Sequence, residues 1–261
     1  MNCSNAPSSR WGRIISVCYR HVRVYSSNFL SNVFPPFLDP LILLAGLGIG
    51  LGPYLPGMGP LSYLAFLASG VIVTSSMFAA AYECTYGTFV RLEFDKVYDG
   101  MLAAPLSPGD LVLGEILFVG SKGFLFALAV LVVIWAAGII RYPLSFLATL
   151  SGFLCGLMFG ALSMYLTSRI KNINQFNFYF TGLISPMFFF SGVVFPLESL
   201  PPALRLLAEA LPLTHPVRLA RACCFPGQLG PILLLDLLYC AAVIVVFSWL
   251  AVRGLKRRMI L

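Results

Sequence analysis

FSGVVFPLESLPPALRLLAEALPLTHPVRLARACCFPGQLG, residues 190–230, lies between two long apolar runs, yet it carries two Glu, three Arg and His215 among several prolines. It is too polar and proline-broken for a span, and too apolar and periodic for a solvated loop. Leu200, Leu204, Leu207 and Leu211 recur at helical spacing, with Pro201 and Pro202 suited to start a helix and Pro212 to end it. After the Leu-Thr-His-Pro turn, residues 217–224 make a second short helix. Two half-apolar helices between spans predict a re-entrant segment over 196–230; a surface helical cap is the alternative reading.

On either side, the apolar residues come in blocks of roughly 20, the length that crosses a bilayer as a helix. The 261 residues are 59% hydrophobic and 10% charged, which describes a polytopic membrane protein without a separate soluble domain. Lipid offers the backbone no hydrogen-bond partners, and the alternation of a membrane barrel is absent, so the fold class is all-α. Six spans are expected at 33–52, 61–81, 111–140, 144–168, 176–195 and 231–252. With both termini cytoplasmic, twelve Lys and Arg fall inside and four outside, Lys122 set apart, as the positive-inside rule requires. The formal net charge of +7 therefore reports topology and not a nucleic-acid partner.

No apolar core of signal-peptide length follows the first arginines. Residues 1–30 read instead as a cytoplasmic interfacial helix: at about 100° per residue, Trp11, Ile14, Ile15, Cys18, Val22, Tyr25 and Phe29 share one sector, with Arg13 and Arg20 opposite. The largest charged cluster between spans, in residues 84–110, must lie on the same side; its middle looks like a short helix before the Pro105 and Pro108 turn. Gly46 and Gly50, and the run Gly152, Gly156, Gly160, have the four-residue spacing that lets helices approach closely. GLGIGLG (46–52) lacks the strand and the acidic residue of a dinucleotide fingerprint.

Glu115 and Lys122, one helical face of the third span, are the candidate intramembrane pair. A structural role is favoured, Lys122 snorkelling outward and Glu115 capping or pairing with it. Asp39 and Asp236, near span ends, read as interfacial. The cysteines lack metal-ligand spacing, and adjacent Cys223 and Cys224 bridge only with strain, so no metal site is expected. No P-loop, catalytic dyad or nucleophile elbow appears, which argues against an enzyme.

DPLILLAGLGIGLG (39–52), YLAFLASGVIVTSSM (63–77), the 83–115 segment with Gly109-Asp110 and LGE, SPMFFFSGVVFPLESLP (185–201) and LPLTHPVRLAR (211–221) together resemble the membrane subunits of type-2 ABC exporters, and within them the NodJ-like permeases of lipo-oligosaccharide (nodulation-factor) export. The resemblance implies a bacterial inner-membrane homodimer with two copies of a separate cytoplasmic ATPase, which alone binds ATP and Mg. It implies a coupling helix within residues 86–106, with Tyr86, Arg91, Glu93, Asp95, Lys96 and Asp99 as contacts, and Arg169 and Lys171 as secondary ones. The outer helices then close the exit, with Pro196, Glu198, Leu204, Leu207 and His215 as the candidate gate. Phe176, Phe178, Tyr179, Phe180, Met187 and Phe188 either line a pathway suited to an amphipathic glycolipid or pack among helices and lipid. Drug or polysaccharide export within the family, and a self-contained carrier or scaffold, are the competing readings.

Overall fold

In the computed structural model of the chain, which describes residues 9–27, 34, 38–55, 61–227 and 230–260, the elements are helices. They are α1 (Arg10–Ser27), α2 (Leu38–Tyr54), α3 (Tyr63–Phe94), α4 (Val97–Leu102), α5 (Pro108–Ala136), α6 (Pro143–Arg169), α7 (residues 176–190), α8 (Pro202–Ala210), α9 (Thr214–Cys224) and α10 (Ile232–Ile260). Among the described residues α3, α5, α6 and α10 are long and apolar enough to cross a membrane, and α2 is a shorter apolar helix.

α10 runs past the expected span end at 252 to Ile260, and two other expected spans also differ from their helices. α3 does not stop at Ala81: two π-helical turns, Glu83–Gly87 and Val90–Phe94, carry it through the first charged residues. Polarity places those residues in a separate segment between spans with a short helix in its middle, but charges such as Glu83, Arg91 and Glu93 find partners inside the bundle, so the span helix continues through them. At about 1.5 Å per residue α3 is about 48 Å long, well beyond a hydrocarbon core of about 30 Å. α7, expected to span 176–195, ends at Phe190 after about 22 Å. There Gly192 adopts φ +77°, a left-handed conformation that turns the chain toward α8.

α3 is the central helix, with 89% of its most apolar window buried against 11% for α10. Ser62 caps it by accepting from the Ala65 amide. α5 opens with a capping box, Ser107 accepting from the Asp110 amide and Asp110 accepting from the Ser107 amide, with Pro108 in the first turn. Between them Lys96, at φ +50°, reverses the chain into α4.

Glycines set how closely α5 and α6 approach. A Cβ on Gly156 would lie 3.0 Å from the Val119 carbonyl oxygen and 3.1 Å from Gly120 Cα, backbone that cannot step aside. One on Gly152 would lie 2.4 Å from Ala127 Cβ, and at the same level Ser76 ties α3 to α5 by donating to the Gly123 carbonyl at 2.7 Å. In α2 the glycine in contact is Gly48, whose Cβ would lie 2.3 Å from Leu64 Cδ1; Gly46 and Gly50 face open space, contrary to their expected packing role. Gly156→Val is therefore expected to destabilise the bundle by about 3 kcal/mol or more, whereas Gly46→Ala leaves the melting temperature in detergent unchanged or raised. Equal tolerance of both would refute this packing.

α1 lies along α5 on the face of Ile14, Val17 and His21, while Trp11, Ile15, Tyr19 and Val22 remain exposed. The predicted apolar sector thus divides into a protein-facing half, with Cys18 and Tyr25 partly buried against the core, and an outward half. Gly114 makes room for it: a Cβ there would meet Val17 Cβ at 2.6 Å. Arg13, assigned to the opposite face, reaches Asp110 at 2.7 Å. Phe29 lies outside the described residues.

Candidate functional site

The elements α1, α3, α4 and α5 converge on a buried ionic network. Glu83 on α3 accepts from Lys122 Nζ of α5 at 2.7 Å and from Arg91 Nη1 at 2.7 Å. Arg91 Nη2 then reaches Glu115 Oε2 of α5 at 3.3 Å, where Thr88 also donates at 3.1 Å. The other oxygen of Glu115 receives the Tyr98 hydroxyl of α4 at 2.5 Å and lies 3.0 Å from His21 Nε2 of α1. Glu115 and Lys122 are therefore not each other's partners: Arg91 and Glu83 stand between them, and only packing of α3 against α5 reveals it.

Two carboxylates and two fixed cations make the network neutral when His21 is neutral. Glu115, Tyr98, Thr88, Lys122 and His21 are all buried. Charges so far from water persist only because each is compensated. Lys122 also faces the Tyr25 ring at 4.5 Å, and His21 stacks on Phe118 with centroids 5.3 Å apart. His21, Tyr98 and Thr88 were missed in the sequence because no local pattern places them near Glu115.

α4 hangs from this network by Tyr98. Burial, reinforced by the Glu115 charge, pushes the Tyr98 hydroxyl well above its ordinary value, so it remains a donor. Around it Phe94, Asp95, Lys96 and Asp99 are exposed and form one projecting polar and aromatic surface. Glu93 differs: it takes Arg258 Nη2 of α10 at 2.7 Å and lies 3.9 Å from Lys96 Nζ. Tyr86 is half-buried, its hydroxyl donating to Asn177 Oδ1 of α7 at 3.1 Å. Arg91 lies in the ionic network, while Arg169 and Lys171 are exposed at the end of α6.

The candidate pathway residues divide. Phe176, Tyr179, Met187 and Phe188 are buried within the protein, Phe180 is half-buried against Tyr82 at 4.4 Å, and Phe178 is 78% exposed. They form no common surface within one chain. Tyr179 instead shares a 2.9 Å hydrogen bond with Ser163 of α6.

At the other end of the bundle, α9 packs against α3, α6 and α10, while α8 is largely exposed. Leu204 and Leu207 face outward, Glu198 is exposed and Pro196 is half-buried. His215 is buried, its Nδ1 2.7 Å from Asp236 Oδ1 and its ring stacked on Tyr239 at 3.8 Å. Asp236, expected at an interface, is instead buried and also accepts from Arg218 at 3.2 Å; Arg218 pairs in turn with Glu209. Arg221 lies over Phe66 at 3.8 Å and donates to the Gly192 carbonyl at 2.9 Å, joining α9 to α3 and the turn after α7. Cys223 and Cys224 are free thiols. His215→Ala is expected to destabilise the α9–α10 contact by about 1–3 kcal/mol by leaving Asp236 under-paired, read as a lower melting temperature and faster proteolysis within 196–227. Unchanged values would show that Arg218 alone holds the contact.

A family model described as ABC-2 type transporter matches residues 12–225. The chain is 38% identical over 208 residues to Nodulation protein J of Rhizobium leguminosarum bv. trifolii, covering 79% of each chain. It is 33% identical over 258 residues to Nodulation protein J of Rhizobium meliloti (strain 1021), covering 97% of this chain and 96% of the relative. It is 31% identical over 254 residues to that of Sinorhizobium fredii, with 97% and 96% covered. The apolar helical bundle and a match over most of its length place the chain, as a membrane permease, in the ABC-2 type transporter family.

Proposed function

We propose that the chain is the transmembrane subunit of an ATP-driven exporter, acting as a homodimer with two copies of a cytoplasmic ATPase that binds ATP and Mg. The observation that carries this is the link from the exposed α4 surface through Tyr98 to Glu115. An ATPase seated on Phe94, Asp95, Lys96 and Asp99 moves α4, and α4 cannot move without disturbing a carboxylate shared by α3 and, at close range, α1. Since a buried ion pair tolerates few arrangements, the network passes that displacement on as a change of packing between helices.

In this reading α2 and α7 complete a six-span topology with the four long helices, both termini cytoplasmic in a bacterial inner membrane. α1 lies on the cytoplasmic surface, and α8 and α9 are the re-entrant outer gate, opened by shifts at the His215–Asp236 contact. The cargo is an amphipathic lipid-linked saccharide or lipo-oligosaccharide. The resemblance to lipo-oligosaccharide export permeases supports that class, as does the wide apolar and aromatic exposure of Tyr82, Phe178, Phe189 and Phe190, available to line a path between two copies. Purification with the ATPase and addition of candidate glycolipids test the proposal: faster ATP hydrolysis with one class supports it, and a chain that binds no ATPase refutes it.

A further inference from the structure

Where α6 and α10 end together, beside the end of α3, a cavity of about 450 Å³ opens between them. One wall is aromatic and apolar, made by Tyr165, Trp249 and Leu250; the rim is basic, made by Arg169, Lys171, Arg253 and Arg257. No acidic residue lines it. Among the described residues these four cations form no ion pair, whereas the fifth, Arg258, is consumed by Glu93 and by the Thr167 and Ile170 carbonyls. Arg253 stacks on Trp249 with its guanidinium 3.7 Å from the ring, which fixes the charge at the boundary between apolar wall and basic rim.

Gly254 and Ser168 also line the cavity. A Cβ on Gly254 would lie 2.1 Å from Ser168 Oγ, so α10 and α6 approach closely where the long basic side chains surround the opening. The outer face of α10 is bare, with Val245, Val246 and Trp249 exposed just above. Uncompensated cations beneath an apolar, ring-lined wall at the end of two spans match one kind of molecule: a phosphate ester carried on acyl chains.

The geometry points to this cavity as a binding site for the phosphate headgroup of an anionic membrane phospholipid, its chains lying along α10. A protein's acidic surface would satisfy the rim but leave the aromatic wall bare, and free phosphate would leave it equally bare. The inference rests on reading α6 and α10 as membrane spans and is independent of cargo and of the ATPase. It also gives Arg169 and Lys171 a partner other than the ATPase.

Native mass spectrometry of the purified full chain, with phosphatidylglycerol or phosphatidylcholine added in detergent, tests it. Retention of phosphatidylglycerol alone is expected, reduced about tenfold by Arg253→Gln with Arg257→Gln. Both side chains are exposed, so the fold tolerates the change. Trp249→Ala, which keeps the cations, is also expected to lower retention. Arg20→Gln with Arg23→Gln on α1 removes as many charges elsewhere and is expected to change nothing. Equal loss in that control would reduce the site to diffuse surface attraction, and wild-type retention in the Arg253/Arg257 variant would overturn it outright. Displacement of the lipid by equimolar inorganic phosphate would assign the rim to a free anion instead, and equal retention of phosphatidylcholine would dismiss the headgroup. None of these readings requires transport or hydrolysis, so failure here leaves the exporter reading untouched.

Discussion

Arg91→Leu is expected to lower the stability of the purified chain by about 3–5 kcal/mol, because it strands a buried carboxylate. Among the described residues Arg91 alone forms ion pairs with both the Glu83 and the Glu115 carboxylates. Without it Lys122 still answers Glu83 at 2.7 Å, but Glu115 keeps only neutral donors and His21. For a chain of this size the loss corresponds to a fall of roughly 10 °C in the melting temperature, measurable by thermal unfolding in detergent. The double variant Arg91→Leu with Glu115→Leu removes the stranded charge with its partner and leaves Glu83 with Lys122. It is expected to be more stable than Arg91→Leu alone, a non-additivity that two independent sites do not produce. Additive damage would show that the two residues do not share one network.

Charge reversal on α4 has the larger expected effect on activity. Asp95→Lys with Asp99→Lys changes two exposed side chains that support nothing in the fold, so the protein should insert and melt as the wild type does. Stimulation of the partner ATPase should fall about tenfold or more, since like charges brought together across a contact suppress association. Glu93→Lys is a different experiment. Glu93 holds Arg258, so its reversal loosens the ends of α3 and α10 together and lowers stability as well as stimulation. ATP hydrolysis by the purified complex, recorded beside the melting curve, separates the two. Unchanged hydrolysis in the Asp95/Asp99 variant would remove α4 from the ATPase contact.

The helical class, the membrane environment and the positions of α1, α3, α5, α6, α8, α9 and α10 were legible because each depends on local composition or on a period of 3.6 residues. So was the close approach through Gly152 and Gly156, whose four-residue spacing is a local signal. The end of α3 was not. A charged residue reads as loop until its partner is known, and the partners of Glu83 lie on α5 as well as on α3 itself. The same gap hid the split between Glu115 and Lys122, the burial of Asp236 against His215, and the role of Tyr98. The glycine pattern also misled where it was only a pattern: Gly46 and Gly50 have the right spacing but face nothing, while Gly48, Gly114 and Gly254 are the positions where a second helix arrives. Most of what failed to show in the sequence was a contact between separate helices.

The central claim is that α4 transmits movement through one hydroxyl, and Tyr98→Phe removes that hydroxyl while keeping the ring. Loss of a buried hydrogen bond to a carboxylate is worth about 1.5–3 kcal/mol, or roughly tenfold and upward in the coupled equilibrium. The measurement is ATP hydrolysis and ATPase binding by the reconstituted complex carrying Tyr98→Phe, with and without a stimulating glycolipid. The account predicts unchanged binding of the ATPase and a loss of about tenfold in stimulation; wild-type stimulation with phenylalanine at 98 would contradict it.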